Sequence, residues 1–351
     1  MTTGLQHKIE NIIIGNSQAD DREIVFQLKQ LLSEIELQDG ADKEAKNIAD
    51  IIVENMCQLK GETPQHDFVK SGLEDFDKLI GGFRLGEFTV VGGRPAMGKT
   101  QFLINISLNI SATVPVLYVT LDLSEFILTS RFISSVTEIP ASNILQHNLN
   151  ATQKYRLADI GNEFTKRQLL IHDCCNTSIS ALKASCQKLI SERGVKVIVV
   201  DYLQLMTSHR HRKYRELEVS YISRELKNMA KEHNICVIAS SQLNRGVENR
   251  TGLHNKCPQL SDLRESGSIE QDADKVLFVH RPEYYGFTED EEGNSLDCRV
   301  DIIVAKNRSG RLGTVYLLRD NEFTNFHNFT GYKNEFTFSS DRLDELKEEP
   351  F

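Results

Sequence analysis

The chain has 351 residues, of which 40% are hydrophobic and 26% are charged, a balance that excludes a fibrous or wholly disordered protein. No apolar run reaches the roughly 18 residues of a membrane helix, and the polar start lacks the apolar block of a secretion signal, so we expect a cytoplasmic protein without a membrane contact. The formal net charge of −9 argues against a protein coated on all sides with nucleic acid, although it is compatible with a local basic channel.

The first segment, residues 1–66, is expected to be helical and to include a linker helix. Apolar residues recur every three or four positions over 24–35 and again over 45–59, and helix breakers then cluster at Gly61 and Pro64. A helix with one apolar face cannot bury that face alone. We therefore expect these helices to pack either on the main domain or on another subunit.

From residue 67 the sequence changes to short apolar runs with helical stretches between them. The run Val197 to Val200 is apolar on both faces, as expected for a strand of a parallel sheet that helices cover on both sides. We therefore predict an α/β fold with a mainly parallel central sheet and a C-terminal β-hairpin over 67–335, followed by a charged tail over 336–351. The predicted strands are Phe88 to Gly92, Val116 to Asp122, Leu169 to Asp173, Val197 to Leu203, Cys236 to Leu243 and Lys275 to His280, and those of the hairpin are Arg299 to Ala305 and Thr314 to Leu318.

Eight residues between a predicted strand and a predicted helix match the phosphate-loop pattern G-x-x-x-x-G-K-[ST]. Glycines let backbone N–H groups wrap phosphates, Lys99 can reach the outer phosphates, and the Thr100 hydroxyl can bind Mg²⁺ at the positive end of the helix. The loop predicts binding of ATP together with Mg²⁺. Its residues are Gly93, Arg94, Pro95, Ala96, Met97, Gly98, Lys99 and Thr100.

Two polar residues at the ends of predicted strands are further candidates. Asp201 closes the run Val197 to Val200, where P-loop ATPases place the carboxylate that supports the magnesium ion. Gln242, near the end of another strand, is placed to sense the γ-phosphate. An ordinary polar strand end remains the alternative for each of them.

Six segments resemble, in order, the motor domain of DnaB-type replicative helicases over about residues 67–329. The run SDLRESGSIEQDAD at 261–274 is the most specific of them, because many families share a phosphate loop. The resemblance implies a RecA-like fold, a hexameric ring and ATP-driven 5′ to 3′ translocation on single-stranded DNA at a forked duplex. The other segments are 72–83, 93–100, 201–206, 241–245 and 306–310.

The resemblance also implies roles for individual residues. Lys99 and Thr100 would bind phosphate and magnesium, Asp201 would support the metal, and Gln242 would couple the γ-phosphate to the DNA-facing loops. Arg264, Glu265 and Gly267 would lie where an inner loop meets the DNA backbone, which suits a protein that binds any sequence. Lys306 and Arg308 would reach the γ-phosphate held by a neighbouring subunit.

Two features depart from the family pattern. The family has a catalytic glutamate after the strand that follows the phosphate loop, and here Asp122 supplies a carboxylate on an arm one methylene shorter. Residues 1–66 are expected to be too few for the family's primase-binding collar and linker.

The basic run 209–213, followed by Tyr214, is expected to be either a channel-facing loop or a solvated one.

Three functions are compatible with these residues. The leading hypothesis is an ATP-dependent DNA helicase, and the second is a RecA-fold ATPase that remodels DNA or protein without unwinding. The third is a weakly hydrolysing assembly or loading subunit clamped by ATP, with Asp122 marking the weakened hydrolysis. Replisome proteins are possible partners, through the N-terminal helices or through the acidic tail that ends in Pro350 and Phe351, for which a solvated end is the alternative.

Overall fold

A computed structural model describes residues 47–54, 56, 68–174, 177–208, 214–263, 267–320, 322 and 324–329. The chain divides into two units, Met1–Gln65 and His66–Phe351. The described part of the first unit contains helix α1 (Ile48–Glu54), which has exposed apolar side chains at Ile48 and Val53. The predicted helix over 24–35, the ends of the 45–59 stripe, the basic run 209–213 and the charged tail lie outside the described residues.

The second unit is built on a nine-stranded sheet with the order β11-β10-β9-β8-β3-β7-β6-β4-β5. Strands β8, β3, β7, β6, β4 and β5 run parallel, and β9, β10 and β11 continue the sheet in antiparallel fashion. The strands are β3 (Phe88–Gly93), β4 (Val116–Thr120), β5 (Leu169–Asp173), β6 (Val197–Asp201), β7 (Cys236–Gln242), β8 (Lys275–His280), β9 (Arg299–Asn307), β10 (Gly313–Arg319) and β11 (Phe326–Asn328). A separate antiparallel pair consists of β1 (Phe68–Val69) and β2 (Phe83–Arg84).

Helices cover both faces of this sheet, which is why the parallel strands are apolar throughout. On β3, Val91 packs into one core cluster with Phe76 and Phe102, and Val90 packs into the other cluster with Leu182 and Leu226. The helices are α2 (Glu74–Ile80), α3 (Lys99–Ser111), α4 (Glu125–Thr137), α5 (Ala141–Leu145), α6 (Ala151–Ala158), α7 (Ile160–Thr165), α8 (Ile179–Arg193), α9 (Arg215–His233) and α10 (Gly267–Asp272). None of the helices in the described part of the chain has the length and hydropathy that a bilayer crossing requires.

The structure confirms the predicted α/β class, the mainly parallel sheet and the C-terminal hairpin of β9 and β10. Three predicted strands are too long at their carboxyl ends, by one residue for β7 and by two residues for β4 and β6. Strand β4 ends at Thr120, so Asp122 lies in the loop that follows, and β6 ends at Asp201, after which the chain turns into a 3₁₀ segment (Leu203–Leu205). Because the carboxyl ends of parallel strands lie at one edge of the sheet, the polar residues that follow these strands meet at that edge.

Candidate functional site

The phosphate loop leaves the sheet at the end of β3 and enters α3 directly. Gly98 has φ 95°, which is left-handed backbone that favours glycine. A Cβ at Gly93 would lie 3.0 Å from the Val279 carbonyl oxygen and 3.1 Å from Cγ of Lys99, so a side chain here would require these neighbours to shift. The loop is therefore a tight turn at the positive end of a 13-residue helix, which suits an anion.

The predicted loop residues occupy different environments. Lys99 and Thr100 form the first turn of α3, and the Lys99 Nζ atom donates to the Arg94 carbonyl oxygen at 3.0 Å, which holds the ammonium group over the loop. Burial lowers the pKa of Lys99 from 10.5 to about 8, the Asp201 carboxylate raises it, and the Arg94 guanidinium lowers it. Of the remaining residues, Pro95 and Ala96 are exposed and Met97 is buried.

The Asp201 carboxylate lies beside the first turn of α3. Its Oδ2 atom accepts hydrogen bonds from the Thr100 hydroxyl at 2.7 Å and from the Tyr118 hydroxyl at 3.1 Å, and its Oδ1 atom accepts from Ser240. Neighbouring strands β4 and β7 supply Tyr118 and Ser240. Magnesium prefers oxygen ligands and needs few of them from protein, since it retains several waters. The Thr100 hydroxyl and the buried Asp201 carboxylate fit such an ion.

Asp122 and Gln242 reach the same edge of the sheet from two sides. The Leu121 N–H donates to the Asp201 carbonyl oxygen at 2.9 Å, and Asp122 follows it with an exposed side chain. Burial raises the pKa of the Tyr202 hydroxyl, and the nearby Asp122 and Asp201 carboxylates raise it further. Gln242 is the last residue of β7, where it pairs in register with Gly93 of the loop.

Gln204, which lies in the segment 201–206 of the family resemblance but was given no role there, holds the backbone next to Gln242. Its side chain donates to the Ser241 hydroxyl at 2.8 Å and accepts from the Gln242 N–H at 3.2 Å. The Gln242 side chain is exposed at the edge of the sheet. The segment 201–206 alone does not predict this contact, because the contact depends on how the chain turns after β6.

The side chain of Arg94 does not line the cavity next to the phosphate loop. Its Nε and Nη2 atoms donate to Glu248 Oε1 at 2.8 and 2.7 Å, and its Nη1 atom donates to the Leu243 carbonyl oxygen at 2.8 Å. The Arg94 side chain is only 7% exposed. What Arg94 offers within the loop is its backbone, whose carbonyl oxygen accepts from Lys99.

A cavity of 520 Å³ opens beside Lys99 and Thr100. It extends between α4 and the turn before β11, and the Thr324 carbonyl oxygen of that turn accepts hydrogen bonds from Asn105 and Ser135. The sequence reasoning missed the residues that line it beyond the loop. The one feature of the sequence that could have indicated this wall of the cavity was Arg131, the only basic residue of α4. The additional lining residues include Arg131, Ser134, Arg281 and Glu322.

The structure places Lys306 and Arg308 away from the phosphate loop of their own chain. Lys306 is in β9 and Arg308 follows it. Between them, Asn307 pairs with Lys275 at the start of β8, and Lys275 pairs in turn with Thr89 near the start of β3. The loop leaves the opposite end of β3. Because a strand rises about 3.3 Å per residue, the two positions are separated by roughly the length of the strand.

The two basic side chains instead bind the end of α10. Lys306 Nζ donates to the Glu270 carbonyl oxygen, Arg308 Nη2 donates to the Gln271 carbonyl oxygen at 2.6 Å, and Arg308 Nη1 lies 3.3 Å from Asp274 Oδ1. These are favourable positions for cations, since the carbonyl groups at a helix end carry partial negative charge.

The predicted DNA contacts are only partly within the described structure. Arg264 and Glu265 lie outside the described residues, whereas Gly267 begins α10 and is exposed. Among the described residues, no atom would lie within 4 Å of a Cβ at Gly267. Helix α10 therefore has a predicted DNA contact at its start, and its last carbonyl groups accept from the two basic residues of the hairpin.

Comparison with known proteins is consistent with this geometry. The family described as "DnaB-like helicase C terminal domain" matches residues 69–328. The chain is 39% identical to the probable replicative DNA helicase of Trieres chinensis over 78% of this chain and 60% of that protein. It is 36% identical to the replicative DNA helicase DnaC of Bacillus subtilis over 81% of this chain and 62% of that protein.

A structural neighbour extends the similarity to the fold. The solved ATPase domain of G40P superposes with a TM-score of 0.73 at 30% identity, over 82% of this chain and all of that domain. The chain spans about three fifths of the length of the curated relatives it matches. From the family match over residues 69–328, we conclude that this chain belongs to the DnaB-like helicase C-terminal domain family.

Proposed function

We propose that this chain is an ATP-dependent DNA helicase of the replicative type, which translocates 5′ to 3′ on single-stranded DNA and unwinds duplex at a fork. The observation that carries the proposal is the contact between Thr100 and Asp201 at 2.7 Å beside a tight phosphate loop, in a chain that belongs to this helicase family. The domain limits follow from the same proposal: a helical segment over 1–66, a motor domain over 67–335 and a tail over 336–351. A cytoplasmic location, expected from the sequence, stays a prediction.

In the proposed reaction, the loop from Gly93 to Thr100 holds the phosphates of ATP, and the Lys99 ammonium lies against the outer phosphates. Thr100 and Asp201 would hold magnesium. When bound, magnesium neutralises the charge that builds on the phosphate oxygens. The cavity beside Arg131 offers room for the nucleoside part of ATP. Each of these groups acts by position and charge, which is the principal means of catalysis in phosphoryl transfer.

Asp122 is proposed to orient the attacking water and to accept its proton. Its position just beyond the link from Leu121 to Asp201 supports this role, because the carboxylate lies at the edge where the loop and the metal ligands meet. Gln242, in register with Gly93, is proposed to sense the γ-phosphate. General-base work requires hydrogen-bond reach, so the short Asp122 arm is expected to lower the rate relative to a glutamate.

Lys306 and Arg308 are proposed to act on the nucleotide of a neighbouring subunit in a hexameric ring. The register supports this, since these residues lie at the opposite end of the strands from their own phosphate loop. A cation supplied from across an interface makes hydrolysis depend on assembly. Arg264, Glu265 and Gly267 are proposed to contact the DNA backbone inside the ring, and replisome proteins are proposed as further partners.

The test is strand displacement with purified protein. A DNA fork with a 5′ single-stranded tail should be unwound with ATP and magnesium, and a fork with only a 3′ tail should not. ATP hydrolysis that rises with single-stranded DNA but displaces no strand would instead favour a remodelling ATPase. Nucleotide binding without hydrolysis would favour an ATP-clamped assembly subunit, the alternative that the short Asp122 arm supports.

A further inference from the structure

The phosphate loop is joined to the segment after β7 by the buried guanidinium of Arg94. Two of its nitrogen atoms donate to one oxygen of Glu248, at 2.8 and 2.7 Å, and the third donates to the Leu243 carbonyl oxygen at 2.8 Å. The Arg94 side chain is 7% exposed, whereas that of Glu248 is 42% exposed. A deeply buried cation is therefore neutralised by a carboxylate that belongs to a surface segment.

This contact constrains the catalytic lysine. Arginine stays charged at any physiological pH, so a buried guanidinium without its carboxylate would be strongly unfavourable. The carbonyl oxygen of the same Arg94 residue accepts from Lys99 Nζ at 3.0 Å. A displacement of Glu248 would thus move Arg94, and with it the backbone against which the Lys99 ammonium rests.

Asp262 holds the two ends of the segment that contains Glu248 together. The Asp262 carboxylate accepts from Arg250 Nη1 at 3.0 Å and from the Gln259 N–H at 2.7 Å, and the Asp262 carbonyl oxygen accepts from the Asn244 N–H at 3.0 Å. Hydrogen bonds to Asp262 therefore hold residues 244–262 together as one loop, which we call the relay loop. In sequence, the residues with predicted DNA contacts begin at Arg264, just after it.

We propose that Glu248 is a positioning residue that couples DNA binding to ATP hydrolysis: the relay loop and the phosphate loop move together because Arg94 joins them. The inference rests on the proposed function, since it needs a DNA contact at one end of the relay loop and a nucleotide on the phosphate loop that contains Arg94. Its prediction concerns the ratio of DNA-stimulated to basal hydrolysis.

The experiment compares wild type with Glu248→Gln in the full chain. ATP hydrolysis is measured against ATP concentration, with and without saturating oligodeoxythymidylate. The variant should keep its affinity for the oligonucleotide, while the stimulation of kcat by DNA should fall at least about fivefold, the lower end of ordinary coupling between two sites. Glu248→Asp keeps the charge and should restore part of the stimulation.

Two controls separate positioning from stability. Glu163→Gln removes a carboxylate of similar exposure, 45%, from its ion pair with Lys166, and should leave the stimulation unchanged. Arg94→Lys should itself reduce the stimulation, and adding Glu248→Gln to it should cause little further loss, because both changes break one contact. All rates are compared at a temperature below the thermal unfolding of every variant.

Each outcome has a clear reading. Normal stimulation in Glu248→Gln, with a wild type that is stimulated by DNA, would overturn the positioning role and leave the proposed function standing. Equal losses in Glu248→Gln and Glu163→Gln would also overturn it. A wild type that hydrolyses no ATP, or that is insensitive to DNA, would overturn the proposed function together with this inference.

Discussion

The two ends of the parallel strands hold their charged residues in different ways. At the carboxyl edge, Asp201 is 5% exposed and is fixed by three hydroxyl groups from three different elements. At the amino edge, the Arg308 side chain is 50% exposed. It contacts the Gln271 carbonyl oxygen at the end of α10 and the Asp274 carboxylate. The first arrangement buries a carboxylate among three hydrogen bonds and suits a metal ligand, whereas the second leaves half of the side chain accessible and suits a residue that acts on another chain.

Buried ion pairs and hydrogen bonds lie at the base of the hairpin, next to Arg308. Lys275, with a fully buried side chain, pairs with Glu87, and the Ser309 hydroxyl donates to the same carboxylate. Asp274 accepts from the Phe88 N–H at 2.8 Å and from Lys227. The base of the hairpin is thus held by buried ion pairs and hydrogen bonds, while the Arg308 side chain remains half exposed.

The largest effect is expected at the carboxyl edge. Lys99→Ala should abolish ATP hydrolysis, because it removes the cation that neutralises charge on the transferred phosphoryl group. Steady-state hydrolysis with single-stranded DNA measures it. Lys166→Ala, which removes a 70% exposed lysine, serves as the control and should be active. Substantial turnover by Lys99→Ala would show that the phosphate loop is not the hydrolysis site.

At the amino edge, Arg308→Ala should reduce kcat by about 10³-fold or more, as expected for a cation supplied in trans. Nucleotide affinity should change little, since Arg308 is remote from the phosphate loop of its own chain. Fluorescent-nucleotide binding and hydrolysis, measured side by side, test this separation. Arg311→Ala, in the same hairpin turn, is the matched control. A loss of binding as large as the loss of kcat would contradict the contrast between the edges.

Asp122→Asn should lower kcat by about 10²-fold or more, because an amide cannot accept the proton of the attacking water. Asp122→Glu should retain or raise turnover, since it restores the reach of the family's glutamate. Asp159→Asn, another exposed aspartate, controls for the loss of a surface charge. If Asp122→Asn hydrolyses ATP at the normal rate, the base lies elsewhere and Glu125 becomes the next candidate.

A smaller effect is expected from pH. The pKa of Lys99 is lowered to about 8 in the protein without nucleotide, and bound phosphates should raise it by favouring the ammonium form. Binding then takes up a proton above pH 8, so ATP affinity should fall by up to about tenfold per pH unit there. Titration calorimetry between pH 7 and 9.5 measures this slope. Lys99→Arg, which stays charged, should show none, and a flat wild-type profile would contradict the shift.

The sequence predicted the sheet well because its parallel strands are buried on both faces. Leu169–Asp173 and Lys275–His280 have the predicted bounds, and the other parallel strands differ by at most two residues at their ends. The phosphate loop was predicted equally well from its sequence pattern, and a side chain at Gly93 would crowd Val279 and Lys99. Local sequence therefore determines the features that depend on backbone geometry and strand burial.

Features that depend on tertiary packing were not visible. The direction of the Arg94 side chain follows from the approach of the relay loop to the phosphate loop, and the cavity wall at Arg131 follows from the position of α4. Likewise, only the strand register shows that Arg308 lies away from the phosphate loop of its own chain. The family resemblance implied the trans role, but residue spacing alone gave no reason for it.

The central claim is that one hydrolysis site combines the carboxyl edge of one subunit with the amino edge of the next. Mixing Lys99→Ala with Arg308→Ala protein tests it most directly, because some interfaces in mixed rings pair an intact Lys99 with an intact Arg308. Mixed assembly is first demonstrated by native mass spectrometry of differently tagged subunits. We predict that ATPase activity then returns to a measurable fraction of the wild-type rate, whereas no recovery in demonstrably mixed rings would contradict the account.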